Sequence, residues 1–255
     1  MKPKKIPKIG LKADPTYFDW HTDLGYDVLE LASKDPDLGF KIMKIINAKK
    51  TLEGKELSMH SQLSRIFSCK EKGFPEFNEA EINVLKAEII LCRILGAKEL
   101  IFHMKVEPLN EDEEKILGKM FKFAKKNGVE MIFESNNKFA GLNTLDVLSR
   151  FPELKYNLDL GHFNVGIGTE DIGMSVDDFL LKIKDRVAYI HAHNNNGIKD
   201  EHRSLDEGTL DWKHILDMLD LSKIRKIIME VRTPEAASKT KKLLEDYLKA
   251  KKIGI

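Results

Sequence analysis

Cysteine is nearly missing. Cys69 and Cys92 are the only two in 255 residues, so a disulfide framework is excluded and a reducing, cytoplasmic setting is expected. An excess of one charge is also missing. Forty-two basic residues stand against 41 acidic ones, a net +1, so the chain has no bulk attraction to nucleic acid or anionic membrane. A nucleic-acid role would need a local patch. No apolar run approaches the roughly 18 residues that span a bilayer, and no membrane partner is expected. The basic start Lys2-Pro3-Lys4-Lys5 is followed by no apolar stretch, which does not fit a secretory signal. Linkers, low-complexity tracts and sequence repeats are absent, and nothing in the chain points to a protein partner.

What is present is a hydrophobic fraction of 42%, enough for a sizeable core, and a regular alternation. Short β-like runs occur at Ile6–Leu11, Tyr26–Ala32, Glu56–His60, Glu99–Met104, Val129–Glu134, Leu154–Leu160, Val187–His193 and Arg225–Val231. Helical patterns separate them. One opens at Asn78-Glu79, runs through Leu95 and stops at Gly96; another opens on Asn110-Glu111-Asp112-Glu113 and ends near Asn127-Gly128. Ser175 and Asp211 are placed to cap two more, and a last helix spans Pro234 to Ala250. Strands alternating with helices argue for a parallel sheet. Eight such units in one chain of this length predict an α/β fold, a single (β/α)8 barrel over 1–255, whose site lies at the C-terminal ends of the strands.

Those ends carry metal-ligand chemistry. His60, His103, Glu134, Asp159, His191 and Glu230 close six successive runs; His162, Asp200 and His202 lie just beyond two of them. Five of the eight histidines in the chain fall in this set. Imidazole mixed with carboxylate suits zinc and similar first-row divalent ions. A lone histidine or glutamate at a strand end is more often structural, but six buried together would each cost several kcal/mol if uncompensated. Nine donors exceed what one four-coordinate ion takes, and a polynuclear site is expected. Asp159-Leu160-Gly161-His162 reads as a tight turn, and Asp200-Glu201-His202 as an extended pair with both outer side chains on one face. His193 shares a strand face with His191 and is expected at the barrel mouth, where it reads equally as a group that orients a ligand or contacts substrate and as a satisfied polar residue. Arg203 is placed to meet a phosphate, with a surface ion pair as the plainer alternative. Arg65 is the same case with the solvated reading preferred. His21, His214, Trp20, Trp212 and Cys92 read as structural, the tryptophans packing helices against the barrel.

The segments NLDLGHFN (157–164), HAHNNNGIKDEHRSLDEG (191–208) and IIMEV (227–231) resemble the endonuclease IV-like and sugar isomerase/epimerase superfamily of barrels. The resemblance covers nearly the whole chain in strand and motif order. In its isomerase branch, it implies one ion held by Glu134, Asp159, His191 and Glu230. In its endonuclease IV branch, it implies three Zn2+ ions, with Mn2+ or another divalent ion possible in part. His60, His103 and Glu134 would take the first. Glu134, Asp159, His191 and Glu230 would take the second, with Glu134 bridging, and His162, Asp200 and His202 the third. The implied activity is metal-dependent phosphate-ester hydrolysis at abasic sites in DNA, with Glu134 and Glu230 catalytic. The alternative is a divalent-metal sugar or sugar-phosphate isomerase or epimerase. A metal-binding protein without catalysis is the third reading. The chain departs from the endonuclease pattern after the first run (Gly10-Leu11-Lys12-Ala13), across 33–39, which lack the expected arginine, and at Ser135-Asn136-Asn137-Lys138. The metal ligands carry over better than the DNA-binding surface.

Overall fold

The computed structural model describes residues 6–13, 26–32, 52–63, 79–105, 108–135 and 141–251. Strands β1 (Lys8–Ala13), β2 (Val28–Leu31), β3 (Glu56–His60), β4 (Glu99–His103), β5 (Glu130–Glu134), β6 (Lys155–Asp159), β7 (Val187–Ala192) and β8 (Lys226–Met229) form a barrel closed in chain order. This is the expected (β/α)8 fold, and each expected run overlaps an observed strand. Their mutual pairing is parallel, as in β2 with β3 or β7 with β8. Parallel strands are covered on both faces and need apolar side chains at nearly every position. Accordingly, β4 and β7 are buried along their whole length.

Helices α1 (Glu79–Leu95), α2 (Glu111–Lys126), α3 (Gly141–Arg150), α4 (Leu160–Gly168), α5 (Val176–Ile183), α6 (Trp212–Asp217) and α7 (Pro234–Ala250) account for the rest of the regular structure described. Their ends follow local chemistry. Asn110 Oδ1 accepts from the amides of Asp112 and Glu113, while Glu113 accepts from the Asn110 amide, a reciprocal cap. Ser175, Asp211 and Thr233 cap α5, α6 and α7 in the same sense. Gly96 (φ 78°) and Gly128 (φ 72°) turn the chain out of α1 and α2 through a left-handed conformation that costs glycine little. Helix α3 goes beyond the expected set, although its buried Thr144, Val147 and Leu148 follow helical spacing. Trp212 meets Tyr247 of α7 edge-on at 5.4 Å. Trp20, His21, Arg65 and Cys69 lie outside the described residues. Among those described, no helix is long and apolar enough to cross a membrane.

Two boundaries differ from expectation in ways that matter. Strand β1 lies two residues further on, because pairing of Lys8–Leu11 with Lys226–Met229 sets its register. Lys12 therefore belongs to a strand end. Strand β6 stops at Asp159 because Leu160 already begins α4. The chain forms two compact units, one from residues 13–134 and one from residues 1–12 with 135–255. The first holds β2 to β5, and the second holds β6 to β8 with most of β1.

Candidate metal centre

In the unit 13–134, strands β3, β4 and β5 each end in a ligand-type residue. Register sets His103 directly beside Glu134. His60 Nε2 lies 3.4 Å from Glu134 Oε2, and His103 Nε2 lies 3.7 Å from Oε1. The other nitrogen of each ring meets a backbone carbonyl: His60 Nδ1 is 2.9 Å from Ser61 O, and His103 Nδ1 is 3.1 Å from Glu134 O. A carbonyl only accepts, so in the neutral ring Nδ1 carries the proton and Nε2 turns its lone pair toward the carboxylate. That is how imidazoles are oriented for a metal. Behind His60, buried Glu88 accepts from Ser61 Oγ at 2.7 Å and from the Gln62 amide at 2.8 Å. It holds the chain where it leaves β3.

The second unit is denser. Asp159 ends β6 in register with His191 of β7. His191 Nδ1 lies 3.5 Å from Asp159 Oδ2 and 3.0 Å from Glu230 Oε2. Lys12 Nζ reaches the same Glu230 oxygen at 2.8 Å. Asp159 Oδ1 also accepts from the His162 amide at 2.7 Å and so caps α4. The segment 159–162 is therefore the first turn of a helix, not the tight turn expected. Gly161 serves contact instead of flexibility: a Cβ there would stand 1.9 Å from His193 Cε1.

Asp200 Oδ2 lies 3.1 Å from His202 Nε2 and 3.4 Å from His162 Nε2. The outer nitrogens of these two rings are again held by carbonyls, His162 Nδ1 by Ser135 O and His202 Nδ1 by Glu230 O, both at 2.9 Å. Asp200-Glu201-His202 is not the extended pair expected, since His202 adopts φ 54°. A left-handed histidine stores about 1–3 kcal/mol of strain and is kept only where surrounding contacts demand it.

His193 does not face the barrel mouth. It has no exposed surface, donates from Nε2 to Asp159 Oδ2 at 3.1 Å, and stacks on His202 with ring centroids 4.4 Å apart. Arg203 is half exposed and pairs with Glu201, the plainer of its two expected roles. His214 is exposed and bonds Asp177 at 2.7 Å.

Charge in this unit is set by neighbours. Burial pushes the Asp159 carboxyl up, but His162 and His193, with hydrogen bonds from His191 and His193, hold it well below the usual range. Burial likewise opposes ionisation of Glu230, and Lys12 and His191 outweigh it. Asp200 is held low against its own burial by His162 and His202, and His202 is in turn raised because the Asp200 bond outweighs burial. These carboxylates are anions facing imidazole nitrogens, the form that binds a divalent cation. Two buried polar atoms, Asp200 Oδ1 and His193 Nδ1, have no hydrogen-bond partner among the described residues. The residues fit a metal.

Three functional features escape the sequence reading. Lys12 reads there only as part of a departure after the first run. Glu88 sits on a helix face that reads as ordinary amphipathic pattern. Asn194 and Asn195 are fully buried, and Asn194 bonds Leu205 O at 2.7 Å while Asn195 bonds Gly161 O at 2.8 Å. The run of amides directly after a buried strand is the available signal for these last two.

A family model described as the xylose isomerase-like TIM barrel matches residues 18–251. The chain belongs to this family. Among curated proteins, it is similar to the uncharacterized protein MJ1614 of Methanocaldococcus jannaschii. The two are 30% identical over 146 residues, 53% of this chain and 54% of the relative, so the match spans about half the relative's length. Among solved structures, a D-tagatose 3-epimerase-like protein superposes with TM-score 0.73 at 19% identity, over 95% of this chain and 97% of that one. The TTHB071 protein of Thermus thermophilus, from a crystal soaked with ZnCl2, gives TM-score 0.72 at 18% identity over 95% and 98%.

Proposed function

We propose that this family member is a divalent-metal-dependent enzyme that isomerises or epimerises a sugar or sugar phosphate. The observation that carries the reading is the convergence of Asp159 and Glu230 on His191, at 3.5 Å and 3.0 Å from its Nδ1. With Glu134 at the end of β5 they make up the donor set that the resemblance implies for a one-metal sugar isomerase. Similar solved folds support it, since several are described as sugar 3-epimerases.

A bound divalent ion would supply Lewis-acid polarisation of the substrate oxygens it holds. The chain supplies the proton traffic. Glu134 and Glu230 are the proposed carboxylates that remove a proton from the carbon beside the carbonyl and return one. Lys12, 2.8 Å from Glu230, keeps that carboxylate ionised and so able to accept. Arg203 is the proposed contact for a substrate phosphate, reached by exchanging Glu201 for the phosphate oxygens.

Phosphate-ester hydrolysis, with abasic DNA as its implied substrate and three zinc ions as its implied cofactors, is the second reading. One observation favours it. His60, His103, His162 and His202 are all oriented with Nε2 toward a carboxylate, which is more than a one-metal isomerase uses. The deciding experiment loads chelator-free protein with metal, counts the ions, and offers ketoses, ketose phosphates and an abasic duplex in parallel. Chelator-sensitive interconversion of a ketose is expected, with strong loss in Glu230→Gln. Duplex cleavage with every sugar left unchanged would replace the isomerase by the hydrolase.

A further inference from the structure

We infer that His193 ligates the same ion as Asp200 and His202; the inference rests on the metal-enzyme reading above. His193 Nε2 stands 2.9 Å from Asp159 Oδ1. A neutral imidazole has one N–H, and a carboxylate can only accept, so that proton sits on Nε2. Nδ1 then presents a lone pair. It faces Asp200 Oδ1 at 3.7 Å, and both atoms are buried without a hydrogen-bond partner among the described residues.

Two buried acceptors facing each other repel, and each unsatisfied atom costs about 1–3 kcal/mol. A cation between them resolves both problems. Their 3.7 Å separation is too long for a hydrogen bond. It is a little shorter than two zinc–donor bonds of about 2.0–2.2 Å placed end to end. Donor atoms of His193, Asp200 and His202 all lie within 4.8 Å of one another. His162 Nε2 lies 3.4 Å from Asp200 Oδ2.

The surroundings are built for such an ion. Gly161 leaves the space that His193 occupies, and the Nδ1 atoms of His162 and His202 are anchored to carbonyls. Asn194 and Arg203 exchange backbone hydrogen bonds at 3.0 and 2.9 Å. The ion would pin β7 to the far end of the 194–203 loop and hold His202 in its left-handed conformation.

The test is nitrogen NMR of the full-length wild-type chain, 15N-labelled at histidine, titrated with Zn2+. At saturation, His193 Nδ1 is expected to move to the metal-bound position together with His202 Nε2, while His193 Nε2 keeps its proton. If His202 moves and His193 Nδ1 does not, or if His191 alone moves, this inference fails and the metal-enzyme reading stands. If no histidine moves, His191 included, both fail. In a second measurement, His193→Gln is expected to weaken zinc at this site by more than the roughly 10–100-fold that loss of an orienting residue brings. A loss inside that range overturns the ligand role. Should the variant not fold, the wild-type spectrum decides alone.

Discussion

The two units of the barrel handle their ligand-type residues differently. In residues 13–134, two histidines face one carboxylate, and each ring is aimed by a single backbone carbonyl. In the other unit, Asp159, Asp200 and Glu230 are interleaved with His162, His191, His193, His202 and Lys12, and most members touch at least two others. The first arrangement is a set of separately aimed donors. The second is a network whose carboxylates stay ionised only because their neighbours outweigh burial. Removing one donor from the first group should therefore act locally. Removing one from the second leaves the others buried and uncompensated.

The largest effect should come from Asp159→Asn. It deletes the charge that His193 and His162 face and weakens the cap of α4. Loss of about 3–5 kcal/mol is expected in denaturant unfolding of metal-free protein. A loss below about 1 kcal/mol would show that the network is not held by charge and would erase the contrast between the units.

Gly161→Ala comes next. Its Cβ would overlap the His193 ring at 1.9 Å, and that ring is held by Asp159 on one side and His202 on the other. Overpacking of this kind costs about 1–3 kcal/mol. Unfolding measurements should find that loss, and calorimetric titration should find weaker zinc binding at Asp200 and His202. Unchanged values in both would mean that the ring can shift freely.

In the first unit, Glu88→Gln keeps the shape but removes the charge behind Ser61 and Gln62. Zinc held by His60 and His103 should weaken roughly 10-fold, as for an outer-shell partner, while the Asp200 group keeps its affinity. Equal weakening of both groups would contradict the local character assigned to the first.

The smallest effect lies outside the site and serves as a pH control. Hydrogen bonding to Asp177 raises the pKa of exposed His214 above its ordinary 6.5. A raised histidine contributes stability that is complete below its ordinary value and is lost as pH rises through the raised one. Asp177→Asn should therefore lower the melting temperature slightly at acidic pH and not at all well above neutrality. A gap that widens with pH would reverse the assigned sign.

Much of the fold was legible because its signals are local. The helix starts at Asn110, Ser175 and Asp211, and the apolar runs ending at His60, His103, Glu134 and Asp159, depend on neighbours within a few residues. Where reading failed, the cause was distance along the chain. His193 follows the same alternation as His191, yet it is enclosed by Asp159, Gly161 and His202. Asp200-Glu201-His202 reads as extended until the left-handed His202 is seen. Arg203 and Lys12 show the same limit, because each meets its carboxylate through a fold that periodicity does not describe.

By itself, then, the sequence determined the order of strands and helices and the kind of side chain that closes each strand. Hydrogen-bond caps and burial on both sheet faces act over a few residues and leave a readable pattern. Only the tertiary structure decided which nitrogen of each histidine meets which carboxylate. It also decided that Lys12 reaches Glu230, and that glycine is required at 161 so that His193 can pass. Those outcomes depend on strand register and on close approach between residues far apart in the chain, and neither leaves a local trace.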